Sequence, residues 1–276
     1  MNLTLTIDGR AHRLLTDRPI DLAIPLDFDG PQPDAFGLPR ASRAPYTSGS
    51  FIAEVAQGGS VNCDLVQLAP HGNGTHTETV GHIVVSPPHL AHLQLAPLIP
   101  AALLTVEVSV LHETDDSYEA GDGDDLVITA ASIEGAWRAL GASRAWADAL
   151  ILRRAHTKDL ASARWSGNNP PYLTDEAMRL IRSLGVQHLL VDLPSVDRED
   201  DRGLLSNHRV FWDIHGDEGR HAPLPHDHPA HGRTITELIC APQDQPDTIA
   251  VLNLQIPRWR LDAAPSWPRL FLSEEL

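Results

Sequence analysis

The chain has 276 residues, of which 42% are hydrophobic and 21% charged, the composition of a globular protein with room for one large core. A formal net charge of −16 argues against nucleic acid or an anionic membrane as a partner, so a small-molecule substrate is expected. Residues 1–15 do not resemble a signal peptide and no apolar run is long enough to span a bilayer, which predicts a cytoplasmic location. Cys63 and Cys240 are too few for a disulfide framework and are expected to be reduced.

The N-terminal part is predicted to contain short strands and one long loop. Residues 3–7 alternate in polarity and then meet Asp8-Gly9, a hairpin turn signal. A second short strand is predicted at residues 21–26. The Pro- and Gly-rich residues 29–50 are predicted to form a long loop, of the kind that often covers a site. Further strands are predicted at residues 64–68, 75–85, 103–110, 149–153, 186–193, 234–240 and 249–256.

Two helices are predicted between these strands. Ser132 is expected to cap a short helix over residues 132–140. Thr174 is expected to cap a longer one over residues 174–184, which has acidic residues in its first turn and an apolar stripe. The mixture of strands and helices, without any internal repeat, predicts a single α/β domain over residues 1–276 with a mixed sheet.

Residues 71–82 carry the most chemistry, with three imidazoles and one carboxylate in a short segment. In an extended strand, side chains alternate between faces, so His76, Glu78 and His82 are predicted to project to the same side. The glycines of this segment argue against a helix. Imidazole nitrogens and a carboxylate on one face are ligand types for a divalent metal.

This segment, Asn73-Gly74-Thr75-His76-Thr77-Glu78 followed by His82, resembles the signature of the cyclase-like metal-dependent hydrolases. That family includes bacterial arylformamidase and isatin hydrolase, and its motif is usually written H-x-G-T-H-x-D-x-P-x-H. A second block agrees in order and spacing: Asp192-Leu193-Pro194-Ser195-Val196-Asp197, then Leu205-Ser206-Asn207-His208, then Thr236-Glu237. The likeness extends over nearly the whole chain and implies the swivelling β/β/α type of fold with a mixed sheet.

The resemblance also implies a set of site residues. The implied metal ligands are His76, Glu78, His208 and Glu237, with zinc as the expected ion and manganese as the alternative. His82 would be the general acid/base, because an imidazole suits proton transfer near neutral pH. Asp197 is expected to support the site rather than to bind metal. Family members are usually dimers or higher oligomers, so a homo-oligomer is expected.

Two departures from the motif concern the metal site. Glu78 stands where the family has aspartate, so the side chain here is one methylene longer. Gly72 stands where the family has its first histidine, and His71 is one position off, on the opposite face of a regular strand. Either the position is empty, in which case Gly72→His would add an imidazole beside His76, or a bulge at Gly72 brings His71 into the site.

The function implied by the resemblance is hydrolysis of an amide-type carbonyl by metal-activated water. An arylformamidase-like reaction, N-formylkynurenine to kynurenine and formate in tryptophan catabolism, is expected first. The alternatives are ring opening of an isatin-like or lactone substrate, and a non-catalytic binding or scaffold protein that lost a ligand at Gly72. The aromatic residues that could hold an aryl ring are Phe28, Phe36, Trp165 and Trp212.

Two further clusters are predicted to be solvated. Five histidines between residues 215 and 231 lie among prolines and glycines, which favours a loop without fixed geometry. An acidic cluster between residues 115 and 125 lacks the complete calcium-loop pattern and is expected to form an exposed turn.

Overall fold

The computed structural model describes residues 3–7, 9–85 and 89–276, so Asp8 of the predicted hairpin turn lies outside the described residues. The strands are, in chain order, β1 (Leu3–Ile7), β2 (Arg10–Leu14), β3 (Ile20–Asp21), β4 (Ser42–Pro45), β5 (Thr47–Ser48), β6 (Phe51–Ile52), β7 (Asp64–Gln67), β8 (His76–Thr79), β9 (Ile99–Val106), β10 (Ser109–Val110), β11 (Leu126–Ile128), β12 (Ala149–Arg154), β13 (Tyr172–Leu173), β14 (His188–Val191), β15 (Thr234–Glu237), β16 (Thr248–Gln255), β17 (Ala263–Pro265), β18 (Trp267–Phe271) and β19 (Ser273–Glu275). The α-helices are α1 (Pro70–Asn73), α2 (Ala130–Leu140), α3 (Asp175–Ser183) and α4 (Ser206–Trp212).

A large mixed sheet forms the centre of the described structure, with strand order β17-β8-β15-β14-β12-β9-β16-β18-β3. Its central strands β15, β14, β12 and β9 are parallel, and antiparallel strands continue the sheet on both sides. Parallel neighbours need long crossover connections, and α3 supplies one between β12 and β14. The mixed sheet confirms the predicted α/β fold class.

The sheet is buried on both faces, as strand β9 shows. Ala102 and Leu104 point into a core that also contains the apolar residues of α2, α3 and α4. Ala101 and Leu103 point to the other side, into a second core with residues of β16 and β18. Alternation along one strand thus supplies both cores, which explains why these strands are nearly all apolar.

The two predicted helices are present, and one begins earlier than expected. Thr174 caps α3 by accepting a hydrogen bond from the Ala177 amide at 3.1 Å, as predicted. Helix α2 begins at Ala130, because Thr129 is its cap and Ser132 lies inside the first turn. The Ser132 hydroxyl instead bonds to the backbone of Glu107, which attaches the helix to the end of β9.

The predicted strand over residues 75–85 is shorter than expected. Strand β8 ends at Thr79, whose hydroxyl accepts from the Gly81 amide and starts a 3-10 turn over Val80–His82. The predicted long loop over residues 29–50 contains the short strands β4 and β5. Both differences arise from pairings or local side-chain bonds that the polarity pattern does not reveal.

The acidic cluster is not simply an exposed turn, because Asp125 is buried. Its carboxylate accepts hydrogen bonds from Arg198 at 2.8 Å, from the Tyr172 hydroxyl at 2.6 Å and from Asn169. Burial alone would raise the pKa of Asp125, but these bonds, Arg198 first, lower it to about 2. The expectation of a solvated turn is therefore wrong for this residue.

Both cysteines are free, Cys63 at the surface and Cys240 partly buried. Within the described ranges, no helix combines the length and the apolar character needed to cross a membrane.

Candidate metal centre

Adjacent strands bring the first candidate ligands together. In the antiparallel pair β8–β15, His76 lies opposite Glu237, and Glu78 lies opposite Ile235, two positions along the same strand. The side chains of His76 and Glu78 are fully buried, and that of Glu237 is nearly so. The alternation predicted for this segment therefore holds for His76 and Glu78.

Helix α4 adds His208 to this pair of strands. Its Nε2 lies 3.0 Å from Glu78 Oε1 and 3.9 Å from Glu237 Oε1. Its Nδ1 lies 2.5 Å from Asp197 Oδ2. The same Asp197 carboxylate accepts from the Tyr118 hydroxyl, so Asp197 fixes the ring of His208 and lies behind it, in the supporting position predicted.

The buried atoms of the cluster fit a divalent cation. His76 Nδ1 lies 2.9 Å from the Gly74 carbonyl oxygen and donates to it, which leaves a lone pair on Nε2, an atom without a hydrogen bond 3.3 Å from Glu237 Oε2. Glu78 Oε2 is also buried without a hydrogen bond. Buried polar atoms left unpaired are costly unless a ligand satisfies them, and imidazole nitrogen with carboxylate oxygen is a donor set for such a cation.

The electrostatics of the cluster come from close opposite charges. Burial alone would raise the pKa of Glu78, but the imidazoles of His82 and His208 hold it well below its usual range. Burial alone would lower the pKa of His208, but Glu78 and Asp197 raise it well above its usual range. The cluster thus keeps its carboxylates charged, which favours a cation among them.

His82 lies beside the cluster and is the most accessible of its imidazoles. It comes from the 3-10 turn after β8 rather than from the strand, and its side chain is 31% exposed. Its Nδ1 lies 3.9 Å from Glu78 Oε2 and 3.5 Å from Asp262 Oδ2. The structure therefore brings His82 to the site by a different local conformation from the one predicted.

His71 also enters the cluster, through an element that the sequence did not predict. Residues 70–73 form the helical turn α1 instead of an extended strand. His71 Nδ1 lies 3.1 Å from Glu78 Oε2, and its Nε2 lies 2.9 Å from Asp262 Oδ2. Burial would lower the pKa of His71, but the hydrogen bond with Asp262 and the nearby carboxylate of Glu78 raise it to about 10.

The structure also changes the expectation for Gly72. A Cβ atom on Gly72 would lie 2.7 Å from Leu38 Cδ1 and 3.2 Å from the Ala35 carbonyl oxygen. A side chain at this position would therefore clash with Leu38 and would not project beside His76. The expectation that residue 72 shares the face of His76 and Glu78 is wrong, because the chain is not extended there.

A cavity of about 350 Å³ opens onto these residues. His71, His82, His208 and Glu237 line it, and so do the charged side chains Arg198, Glu199 and Asp201. Phe36, Leu38 and Leu205 form its apolar wall. Of the four aromatic residues proposed from the sequence, only Phe36 is among the lining residues of this cavity. Trp212 is fully buried behind His208, and Trp165 packs against Arg154.

Two residues of the apolar wall have an unusual backbone conformation. Phe36 has φ +57° and Leu205 has φ +51°, in the left-handed region that bulky residues rarely adopt. Such conformations cost free energy and persist where the surrounding structure imposes them, often at functional sites. The cavity wall is therefore held in a strained conformation at two points.

A larger cavity of about 760 Å³ lies elsewhere and contains none of the predicted ligands. It lies against α3 and α4, and its lining includes arginine side chains as well as acidic ones. The five histidines between residues 215 and 231 also lie outside the candidate cluster, and His228 instead caps a 3-10 turn by accepting from the Ala230 amide. Neither feature competes with the cluster at β8 and β15.

Comparison with known proteins points to one family. The sequence model of the family described as "Putative cyclase" matches residues 20–198. The match includes α1, β8 and Asp197, and it ends before His208, Glu237 and Asp262. No curated protein matches the chain significantly.

Solved structures share the fold over nearly the whole chain. Isatin hydrolase A from Labrenzia aggregata, bound to benzyl benzoate, has a TM-score of 0.61 and 16% identity and covers 93% of this chain and 94% of its own. A "predicted metal-dependent hydrolase" from Bacillus stearothermophilus has a TM-score of 0.54 and 16% identity, with coverage of 92% and 98%. An isatin hydrolase bound to the product analogue thioisatinate has a TM-score of 0.55 and 13% identity, with 93% of both chains covered.

Proposed function

This chain belongs to the cyclase family, and on that premise we propose that it is a metal-dependent hydrolase that cleaves an amide-type carbonyl with water. The observation that carries the proposal is the buried cluster of two imidazoles and two carboxylates with unpaired atoms at its centre. We propose His76, Glu78, His208 and Glu237 as the residues that hold the metal, and zinc as the ion, with manganese as the alternative. When bound there, a divalent ion would lower the pKa of water to about 7 and polarise the carbonyl.

The supporting residues prepare this ligand set for a cation. Because Gly74 and Asp197 accept hydrogen bonds from the Nδ1 atoms of His76 and His208, the Nε2 atom of each ring faces the carboxylates, and a bound metal would take the place of any proton on it. Such outer partners fix the tautomer and the ring orientation of a ligating histidine. The two rings are therefore oriented for binding before any ion arrives.

His82 is the residue that we propose to carry the proton. It differs from His76 and His208 in being partly exposed to the cavity, and none of its close contacts orients it as firmly as Asp197 orients His208. It could take a proton from the attacking water and deliver it to the leaving nitrogen. In this reaction, the oxygen of water adds to the acyl carbon, the carbon–nitrogen bond breaks, and the leaving nitrogen gains a proton.

The cavity supports an aryl-bearing substrate of modest size. Its volume suits one aromatic ring with a short acyl group, and Phe36 and Leu205 contribute apolar lining. We therefore propose an arylformamidase-like reaction, N-formylkynurenine to kynurenine and formate. No serine nucleophile is required, and Ser195 accepts a hydrogen bond from the Asp197 amide instead.

Ring opening of an isatin-like or lactone substrate is the second candidate, and the fold likeness to isatin hydrolases favours it. The chemistry at the carbonyl is the same, but the leaving nitrogen or oxygen stays attached to the product. The two candidates differ in whether a small acid such as formate is released.

The experiment is a comparison of substrates with purified, metal-supplemented protein. N-formylkynurenine, an N-formyl aniline and isatin are incubated with the wild type, with His76→Ala, and with His221→Ala from the exposed loop as a matched control. Formate release that His76→Ala abolishes and His221→Ala retains supports the first candidate. Hydrolysis of isatin alone supports the second. Hydrolysis of none of these by a protein that binds metal would favour the non-catalytic alternative.

A further inference from the structure

We infer that His71, held in place by Asp262, is an additional imidazole ligand of the proposed metal site, and that the longer carboxylate of Glu78 compensates for its shifted position. The inference rests on the proposed function, because it concerns the same metal. It goes beyond the family motif, which has its first histidine at position 72 of this chain and contains neither Glu78 nor Asp262.

The contacts of His71 repeat those of His208, one of the two proposed imidazole ligands. His71 Nε2 lies 2.9 Å from Asp262 Oδ2, as the Nδ1 of His208 lies 2.5 Å from Asp197 Oδ2. In each case the outer nitrogen is hydrogen bonded to a carboxylate. The other nitrogen of each ring faces Glu78, at 3.1 Å for His71 and at 3.0 Å for His208. An imidazole with its outer nitrogen fixed in this way directs its inner nitrogen toward the site, where a metal would replace the proton on it.

The two residues that depart from the motif, His71 and Glu78, are in contact with each other. Glu78 Oε2, 3.1 Å from His71, is buried and has no hydrogen bond, whereas Glu78 Oε1 lies beside His208. An aspartate at this position would be one methylene shorter and would draw its carboxylate back from both rings. The longer side chain thus spans the gap between the helical turn that carries His71 and the helix that carries His208.

The local sequence fixes His71 in this orientation. Pro70 stands in the first turn of α1, and the Asn73 side chain accepts from the Ala69 amide at 2.6 Å and donates to the Pro39 carbonyl. Gly72 packs so closely against Leu38 that a larger residue requires Leu38 to shift. These contacts stabilise the helical turn, and the turn directs residue 71, and not residue 72, toward Glu78.

A second cation is the rival explanation. Ligand atoms of His71, His82 and Asp262 lie within 4.8 Å of one another and could hold an ion of their own. The rival predicts two ions per chain and loss of one of them when Asp262 is changed. Our inference predicts that the same change weakens the binding of the ion at His76 and His208.

The test is a zinc titration of metal-free protein against a competing chelator, with total metal measured in parallel. We expect His71→Ala and His71→Gln to raise the zinc Kd at least 10-fold, and Asp262→Asn to raise it about 10- to 100-fold. His221→Ala, an exposed histidine outside the cluster, serves as the control and is expected to leave the Kd unchanged. Cobalt(II) absorption of the same variants reports the loss of a nitrogen ligand independently of activity.

A double-mutant cycle tests the compensation. Glu78→Asp is expected to raise the zinc Kd in the wild-type background and to raise it by less in the His71→Ala background, because contacting residues are not additive. Full additivity would overturn the compensation.

The remaining outcomes separate the possible failures. If the wild type binds zinc and both His71 variants bind it equally well, the inference is wrong and the proposed function stands. If Asp262→Asn loses one of two ions and keeps the other at unchanged Kd, the second-cation explanation replaces ours. If the wild type binds no zinc, the proposed function itself fails. Circular dichroism of the metal-free variants checks that each is folded, and His71→Gln keeps a polar side chain of similar reach should His71→Ala unfold.

Discussion

At the scale of single residues, the candidate site combines fixed histidines with one that is freer. His76 and His208 each have an outer oxygen partner that orients the ring. His82 is partly exposed, lies against the ring of His71, and has longer contacts with Glu78 and Asp262. This difference assigns them separate tasks in the proposed mechanism, since a ligand benefits from rigidity and a proton carrier from access to the substrate.

The separate tasks of ligand and proton carrier predict that the His82 imidazole can be removed without loss of metal. His82→Ala is expected to keep the metal content of the wild type while kcat falls by roughly 10²- to 10⁴-fold, the usual contribution of a general acid/base. Metal analysis and kcat are measured on the same preparation. Parallel loss of metal and activity would make His82 a ligand.

The strained residues of the cavity wall predict opposite effects on stability and activity. Leu205 has φ +51° and ψ +44°, which asparagine adopts more readily. Leu205→Asn is expected to keep or raise the free energy of unfolding, with up to about 1 kcal/mol from relieved strain, while kcat/KM falls because the apolar wall is lost. Urea unfolding and steady-state kinetics measure the two effects.

Arg202→Asn is the matched control, because Arg202 also has a positive φ, +58°, but is exposed and does not line the cavity. It should gain stability with kcat/KM unchanged. A Leu205→Asn variant that is less stable but has wild-type kcat/KM would contradict the role given to the wall.

At the scale of elements, the sequence predicted helices and strands best where the residues that determine them are close together in the chain. Thr174 lies directly before an acidic first turn and an apolar stripe, and α3 begins after it as predicted. Period-two alternation correctly placed His76 and Glu78 on one face of β8. In both cases the residues that decide the structure lie within a few positions of each other.

Distant contacts explain what the sequence did not reveal. His71 reaches the cluster through a helical turn that packs on Leu38, and its partner Asp262 lies 191 positions along the chain. Strands β17 and β18 were not predicted, because their short segments contain proline and become strands only by pairing with β8 and β16. Non-local pairing leaves no periodic signal in a single sequence.

The buried histidine of strand β14 predicts a pH dependence of stability. Burial lowers the pKa of His188 to about 4, from an ordinary value of 6.5. The neutral ring is therefore favoured in the folded state, so its contribution is complete above pH 6.5 and is lost as the pH falls toward 4, when the unfolded chain binds a proton first. Between pH 8 and pH 5 the loss from this group is expected to be about 2 kcal/mol.

His188→Gln removes this titration and can still bond to Thr234, whose hydroxyl lies 2.9 Å from His188 Nδ1. Urea unfolding of both proteins at pH 8 and pH 5 gives the difference that belongs to His188, because the other histidines titrate in both. An equal loss of stability in the two proteins would show that His188 is not the source.

At the scale of the whole molecule, exposed apolar side chains are concentrated on and near the two-stranded sheet β4–β7. The two-stranded sheet β4–β7 is exposed along most of its length, and Leu65 and Val66 are 62% and 57% exposed. Nearby, Tyr46, Phe51 and Val61 are exposed as well. Isolated two-stranded sheets are marginally stable in water, and apolar patches of this kind mark contact surfaces. We propose that a second copy of the chain covers this sheet.

The oligomer proposal predicts that a charge on this sheet separates the copies. The wild type is expected to have at least the mass of a dimer in light scattering after size-exclusion chromatography. Leu65 and Val66 point to opposite faces of the sheet, and Glu at whichever of the two lies on the covered face is expected to lower that mass. With a net charge of −16, two copies repel each other, so an added acid on the contact surface acts in the same direction. Val108→Glu, exposed on another part of the surface, is the control. A monomeric wild type would refute the proposal.

The most direct test of the central claim is the metal content of protein purified without an affinity tag or a nickel column, measured for the wild type and His76→Ala. Because the cluster offers two oriented imidazoles and two carboxylates, the wild type is expected to retain about one equivalent of a divalent metal per chain, and His76→Ala far less. Less than about half an equivalent in the wild type as purified, or equal retention by His76→Ala, would contradict the claim that this cluster is a metal centre.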